Sequence, residues 1–134
     1  MWSHEFEVQT GHRPAVVDLT ATVNAAIAGL GDGLLHIFLP HATAGLALIE
    51  TGSGSEVDLL TALDGLFPKG ASYRHQHGTP GHGRDHIIPA FVTPTLVLVV
   101  RDGRLDLGVW QSLVLVDPNV DNPVRRVRLT FLPA

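Results

Sequence analysis

Residues Thr95 to Asp117 read TLVLVVRDGRLDLGVWQSLVLVD, and this run decides the fold. Two apolar, β-branched segments flank the dipeptide Asp102-Gly103, a combination that favours a tight hairpin turn because both central positions of such a turn adopt positive φ. The run therefore predicts strand, turn, strand.

Working outward, VRRVRLTFL (residues 124–132) alternates Val124, Arg126, Arg128 and Thr130 against Arg125, Val127, Leu129 and Phe131, which predicts a last strand with one charged face. Arg125 and Arg128 read as solvated. At the other end WSHEFEVQ (2–9) sets Trp2, His4, Phe6 and Val8 on one face of a first strand, with His4 and His12 at the surface. LLHIFLP and GLALIE read as short buried strands joined by HATA, with His36 a core histidine bonded to backbone. A helix is expected from a Thr20 cap through Val23, Ile27 and Leu30 to Gly31, and a second from Ser55 with Val57, Leu60, Leu63 and Phe67 on its packed face. One helical turn is expected in DHIIPAFV. The fold class is α+β: a mainly antiparallel β core with two helices, in a single domain spanning residues 1–134.

The chain has 134 residues, a formal net charge of -4, 45% hydrophobic and 16% charged residues, and no cysteine. Such a length supports one core. No cluster of Lys and Arg exists to neutralise phosphates, so no nucleic-acid partner is expected. Without thiolates, any metal must rest on histidine and carboxylate. No apolar run is long enough to span a bilayer, and no membrane partner is expected; the reading is a cytoplasmic protein. Glycine-rich nucleotide motifs are absent.

Four of the eight histidines, His75, His77, His82 and His86, fall between Tyr73 and Ile87. Imidazole is both a common metal ligand and a proton carrier near neutral pH, but a hydrated loop would carry the same composition. His41 opens HATAGLALIE, where small residues allow close backbone approach and Glu50 ends the strand.

LPHATAGLALIE resembles the HTSAxLTxNE signature of the YjbQ-like family, the proteins called secondary thiamine-phosphate synthases. YRHQ is similar to that family's YxHD, DHI to its SHI, DGRLDLGVWQ to its GRLxLGTWQ and DNPVRRV to its DGPRxRxV, in the same order over roughly residues 33 to 128. The resemblance implies a compact α+β homotrimer with pockets near the subunit interface. His41, Glu50, His75 and His86 fall on the family's shared histidine and glutamate positions and become the candidate catalytic residues. Trp110, Gln111 and Arg126 become candidate substrate-binding residues. His41, His75 and His86 would hold a divalent ion, zinc or magnesium. The implied activity joins a hydroxymethylpyrimidine diphosphate to a thiazole phosphate, so the expected partner is a phosphorylated small molecule. Two alternatives stand beside it: metal-assisted hydrolysis of a phosphate ester, and metal or ligand capture without turnover by a trimer. Ile49, Gln76 and Val124 replace polar residues of the family pattern, and Ser53 an aspartate.

Overall fold

The computed structural model describes all 134 residues, Met1 to Ala134. The order is β1 (Trp2–Gln9), β2 (Ala15–Asp18), α1 (Thr20–Ile27), β3 (Gly33–Phe38), β4 (Gly45–Ile49), α2 (Ser55–Leu66), two 3-10 turns (His82–His86 and Ile88–Ala90), β5 (Thr95–Arg101), β6 (Arg104–Leu105), β7 (Ser112–Asp117) and β8 (Val124–Pro133). These strands build two antiparallel sheets, β1-β8-β3-β5-β6 and β2-β7-β4. The α+β class is as expected.

The stretch that decides the fold folds in two parts. Asp102 (φ 48) and Gly103 (φ 69) make the tight turn, pairing Val100 with Leu105. The returning strand is only two residues long, because the chain then leaves this sheet, loops through Gly108 to Gln111, and enters the other sheet as β7. The second half of the expected hairpin is thus the central strand of a different sheet. It is buried on both faces: Leu113 and Leu115 join Leu35, Ile37, Val127 and Leu129 between the sheets, while Val114 and Val116 pack with Leu63 and Ile88. A strand covered on both sides needs a continuous apolar run, and SLVLV supplies it.

Several local expectations change. Thr20 does not cap α1; the Asp18 carboxylate accepts the Thr20 N–H at 2.9 Å, and Thr20 Oγ1 accepts the Leu113 N–H. The helix ends at Ile27, before Leu30. On α2 the packed residue is Leu63, flanked by Leu59 and Phe67, and Val57 is 67% exposed. His36 lies on the outer face of the larger sheet and shares a hydrogen with Thr95 Oγ1 at 2.6 Å, a side chain and not backbone. Arg125 is the largest correction. It is 1% exposed, with Nε on Asp117 Oδ2 at 2.7 Å and Nη2 on Asp117 Oδ1 and Thr43 Oγ1, both at 2.9 Å. Its position on the inward face of β8 follows from the alternation with Val127 and Leu129; only a buried carboxylate on β7 makes that position tolerable for a guanidinium.

Candidate functional site

The site forms where α2 hands over to a glycine- and histidine-rich loop that folds back as the 3-10 turn His82–His86. That turn is anchored from both sides. Arg84 reaches the Asp64 carboxylate on α2 and the carbonyl of Phe67 just past its end, and Asp85 accepts a hydrogen bond from the Asn119 amide at 3.0 Å. Burial pushes the Asp85 carboxyl up, with Asn119 and then Arg84 opposing the shift. Anchoring Arg84 and Asp85 leaves His82 and His86, at the two ends of the turn, facing the loop.

There they meet His75 and His77. One nitrogen from each of the four rings lies within 4.8 Å of the other three. Ring centroids are 3.9 Å apart for His75 and His86, 4.0 Å for His75 and His77, and 4.9 Å for His82 and His86. His75 Nε2 and His82 Nε2 face each other at 3.0 Å. Close approach of the loop requires Gly78, which has φ +83 and whose Cβ would stand 2.7 Å from the His82 ring.

His82 is the best held of the four. It is 8% exposed, and its Nδ1 donates to Asp121 Oδ2 at 2.9 Å, which turns Nε2 toward the other histidines. Asp121 in turn accepts from Thr79 Oγ1 and from the Asn119 amide. The Thr79 hydroxyl and then His82 push the Asp121 carboxyl down to about 2. A carboxylate orienting a histidine in this way is a recurring support for metal ligands.

Desolvation, followed by the repulsion of neighbouring imidazoles, holds His75 and His86 below the ordinary imidazole value. They are therefore neutral at pH 7 and have lone pairs to offer. His86 Nε2 is buried and has no hydrogen-bond partner. A buried imidazole nitrogen with no protein partner among three other imidazoles suits a metal ligand, and the donor set as a whole fits a transition ion. It does not fit magnesium, which prefers oxygen.

His41 stands apart from this group. Its Nε2 accepts the Arg126 backbone N–H at 2.9 Å, so the neutral ring carries its proton on Nδ1. Burial, then the positive charges of Arg125 and Arg126, hold it below the ordinary value. His41, Thr43 and Arg125 form one wall of a cavity of 590 Å³ whose other wall is His77, His82 and His86. Arg125 Nη1 makes none of that residue's hydrogen bonds to protein. A second cavity of 380 Å³, lined by Lys69, Tyr73 and Thr79, lies against His75, His77 and His82.

The remaining sequence candidates lie elsewhere in the single chain. Glu50 is exposed just beyond β4, beside the Ile49–Ser112 pairing, whereas His41 precedes the opposite end of that strand. Gln111 accepts the Gly108 N–H at 2.9 Å, and Trp110 is 73% exposed on the same loop. Neither Trp110 nor Gln111 lines the 590 Å³ cavity. The Arg126 side chain points away toward Glu5, with N–O 3.6 Å. Sequence reasoning passed over Asp117, Asn119, Asp121 and the inward role of Arg125. An available signal was the polar cluster DPNVDN following an apolar strand, a place where Asx turns gather side chains against a site.

Two antiparallel sheets carrying a polyhistidine loop across one end define a small α+β class with a candidate metal centre. The UPF0047 YjbQ-like family model matches residues 4–134, and the chain belongs to that family. It is 52% identical over 126 residues to the UPF0047 protein Rv2556c of Mycobacterium tuberculosis, covering 94% of each chain. Among solved structures it is similar to a YbjQ-like protein of unknown function from Sulfolobus solfataricus, with a TM-score of 0.90 at 25% identity over 99% of this chain and 97% of that one. A conserved hypothetical protein of Thermus thermophilus is similar at 33% identity, TM-score 0.83, over 96% of this chain and 99% of that one.

Proposed function

We propose that this protein is a metal-dependent enzyme that acts on a phosphorylated small molecule in the cavity between His41 and the histidine cluster. The observation that carries the reading is the buried, partnerless Nε2 of His86 within a group of four imidazoles. His75, His82 and His86, with His77, would hold a zinc-like ion. Such an ion supplies Lewis acidity toward a phosphoryl oxygen and acidifies nearby water.

The chain's own groups have distinct tasks in this reading. Arg125, whose Nη1 makes no hydrogen bond to protein, and the protonated Nδ1 of His41 would donate to phosphoryl oxygens on the wall facing the cluster. Asp117 and Thr43 hold the guanidinium still, so the donors are set before substrate arrives. Arg126 would contribute through its backbone, by fixing the tautomer of His41, and not through its guanidinium.

Within one chain these groups suit hydrolysis of a phosphate ester, which needs one phosphoryl group, one ion and water. Joining a hydroxymethylpyrimidine diphosphate to a thiazole phosphate needs a surface to hold two rings, the task expected of Trp110. Its exposure favours that second reading only if another copy of the chain receives it. We propose a homotrimer on the strength of the apolar outer face of the larger sheet, where Leu34, Val97, Val99 and Leu132 are 42% to 61% exposed. No helix is long and apolar enough to cross a membrane; we place the activity in the cytoplasm.

The test is to strip the protein with a chelator, restore zinc or magnesium, and assay both phosphate release from aryl and sugar phosphates and thiamine phosphate formation. Turnover restored by zinc and not by magnesium supports the proposal. A stoichiometric ion with no turnover on either substrate class would leave metal capture without catalysis as the function.

A further inference from the structure

The four imidazoles are not held alike. His82 is buried and clamped through Nδ1 to Asp121, which Thr79 and Asn119 hold in turn. His86 is anchored by the turn whose neighbouring residues Arg84 and Asp85 are tied to α2 and to Asn119. His75 packs 3.9 Å from the His86 ring, centroid to centroid, and faces His82. His77 is exposed, its ring makes no hydrogen bond within the protein, and it is followed by Gly78 in the left-handed region. It also lines both cavities, so solvent or ligand reaches it from either side.

We propose that His77 is a displaceable ligand: His75, His82 and His86 form the lasting donor set, and His77 yields its place to a phosphoryl oxygen entering the 590 Å³ cavity. The inference rests on the metal reading above and deepens it. Energetics set His77 apart from His82 and His86. Withdrawing His82 breaks its bond to Asp121 and removes a buried ring from its socket, and withdrawing His86 moves an anchored turn. Withdrawing His77 exposes to water a ring already in contact with water, at almost no desolvation cost. The chemical consequence is large. Four permanent imidazoles would close a tetrahedral site and make it structural, whereas three with an exchangeable fourth leave an open position of the kind catalytic sites keep. The opening would face His41 Nδ1 and Arg125 across the cavity, so the entering group is an anionic oxygen, phosphoryl before carboxyl because the opening and the two separate donors together call for three oxygens and a carboxylate has two.

Cobalt(II) titrations of the full-length protein test this, because the visible absorption of cobalt reports its ligands independently of turnover. Wild type, His77→Ala, His82→Ala and His75→Ala would be loaded with cobalt and then titrated with inorganic phosphate, with circular dichroism confirming the fold. His77→Ala should bind cobalt within about tenfold of wild type, and His82→Ala and His75→Ala about 100-fold more weakly. Phosphate should change the cobalt spectrum of both wild type and His77→Ala, at lower concentration in the variant because it no longer competes with an imidazole. Equal loss of affinity in His77→Ala and His75→Ala, or spectra indifferent to phosphate, would overturn the displaceable role while leaving the metal centre standing. Wild type that binds no cobalt would overturn the metal reading and this inference with it.

Discussion

Asp121 Oδ2 lies 2.9 Å from His82 Nδ1, and that contact joins the loop before β8 to the histidine cluster. The bond fixes which nitrogen of His82 is free. It also makes Asp121, beside the Asn119–Asp85 bond, a link through which the conformation of the DPNVDN loop is felt at the cluster.

Replacing Asp121 with Asn keeps the shape and removes the charge that favours a proton on His82 Nδ1. Zinc affinity should fall about 10- to 100-fold, measured by competition with a chromophoric chelator, while the thermal midpoint of the metal-free protein changes little. A metal-free midpoint lowered as much as the affinity would make the contact structural.

Arg125 and Asp117 are 1% and 0% exposed, and each is the other's main partner. Asp117→Asn should destabilise the protein by about 3–5 kcal/mol, because it leaves a buried guanidinium short of its counter-charge. Urea unfolding measures this. Arg125→Met with Asp117→Leu should recover part of the loss, and should still abolish phosphate binding if Arg125 is the phosphoryl donor.

Asp18 predicts a pH effect. Burial raises its pKa, but hydrogen bonds from Thr20, Thr51 and Ser112 outweigh burial and hold it below the ordinary value of 3.8. A carboxyl depressed by folding contributes stability that is fully present above its unfolded pKa and is lost as pH falls through the folded one. Wild type should therefore exceed Asp18→Asn in thermal stability by a constant margin near neutrality. The margin should shrink only below about pH 4, near the unfolded carboxyl value. A margin that already closes between about pH 7 and 5 would assign it to another group, since an ordinary carboxyl titrates below that window.

Val97 is 61% exposed on the apolar outer face. If that face joins copies of the chain, Val97→Lys should reduce a trimer to single 14.3 kDa chains in light scattering with the fold retained. An unchanged mass would place the trimer contact elsewhere, the Val109–Trp110 tip being the next surface to alter.

Alternation and apolar runs made most elements legible. WSHEFEVQ, LLHIF, GLALI and the β8 segment all form strands near the expected bounds, because a period of two is a local property of the chain. The Asp102-Gly103 turn was equally local. Which sheet received SLVLVD was not, because a run apolar on both faces satisfies a hairpin partner and a sandwiched central strand alike. The packed face of α2 was misread at Val57 for the same reason: a leucine-rich helix has more than one apolar stripe, and the sheet beneath chooses among them.

By itself the sequence determined an α+β chain in which any metal would have to be held by histidine and carboxylate, and its spaced motifs marked His75 and His86. Tertiary structure alone decided that His77 and His82 join them while His41 stands across a cavity, and that Arg125 is buried against Asp117. Side-chain convergence depends on contacts between residues as far apart as 85 positions, as for His41 and the Arg126 backbone. No local period encodes such distances; they follow from how two sheets and an anchored 3-10 turn close on one another.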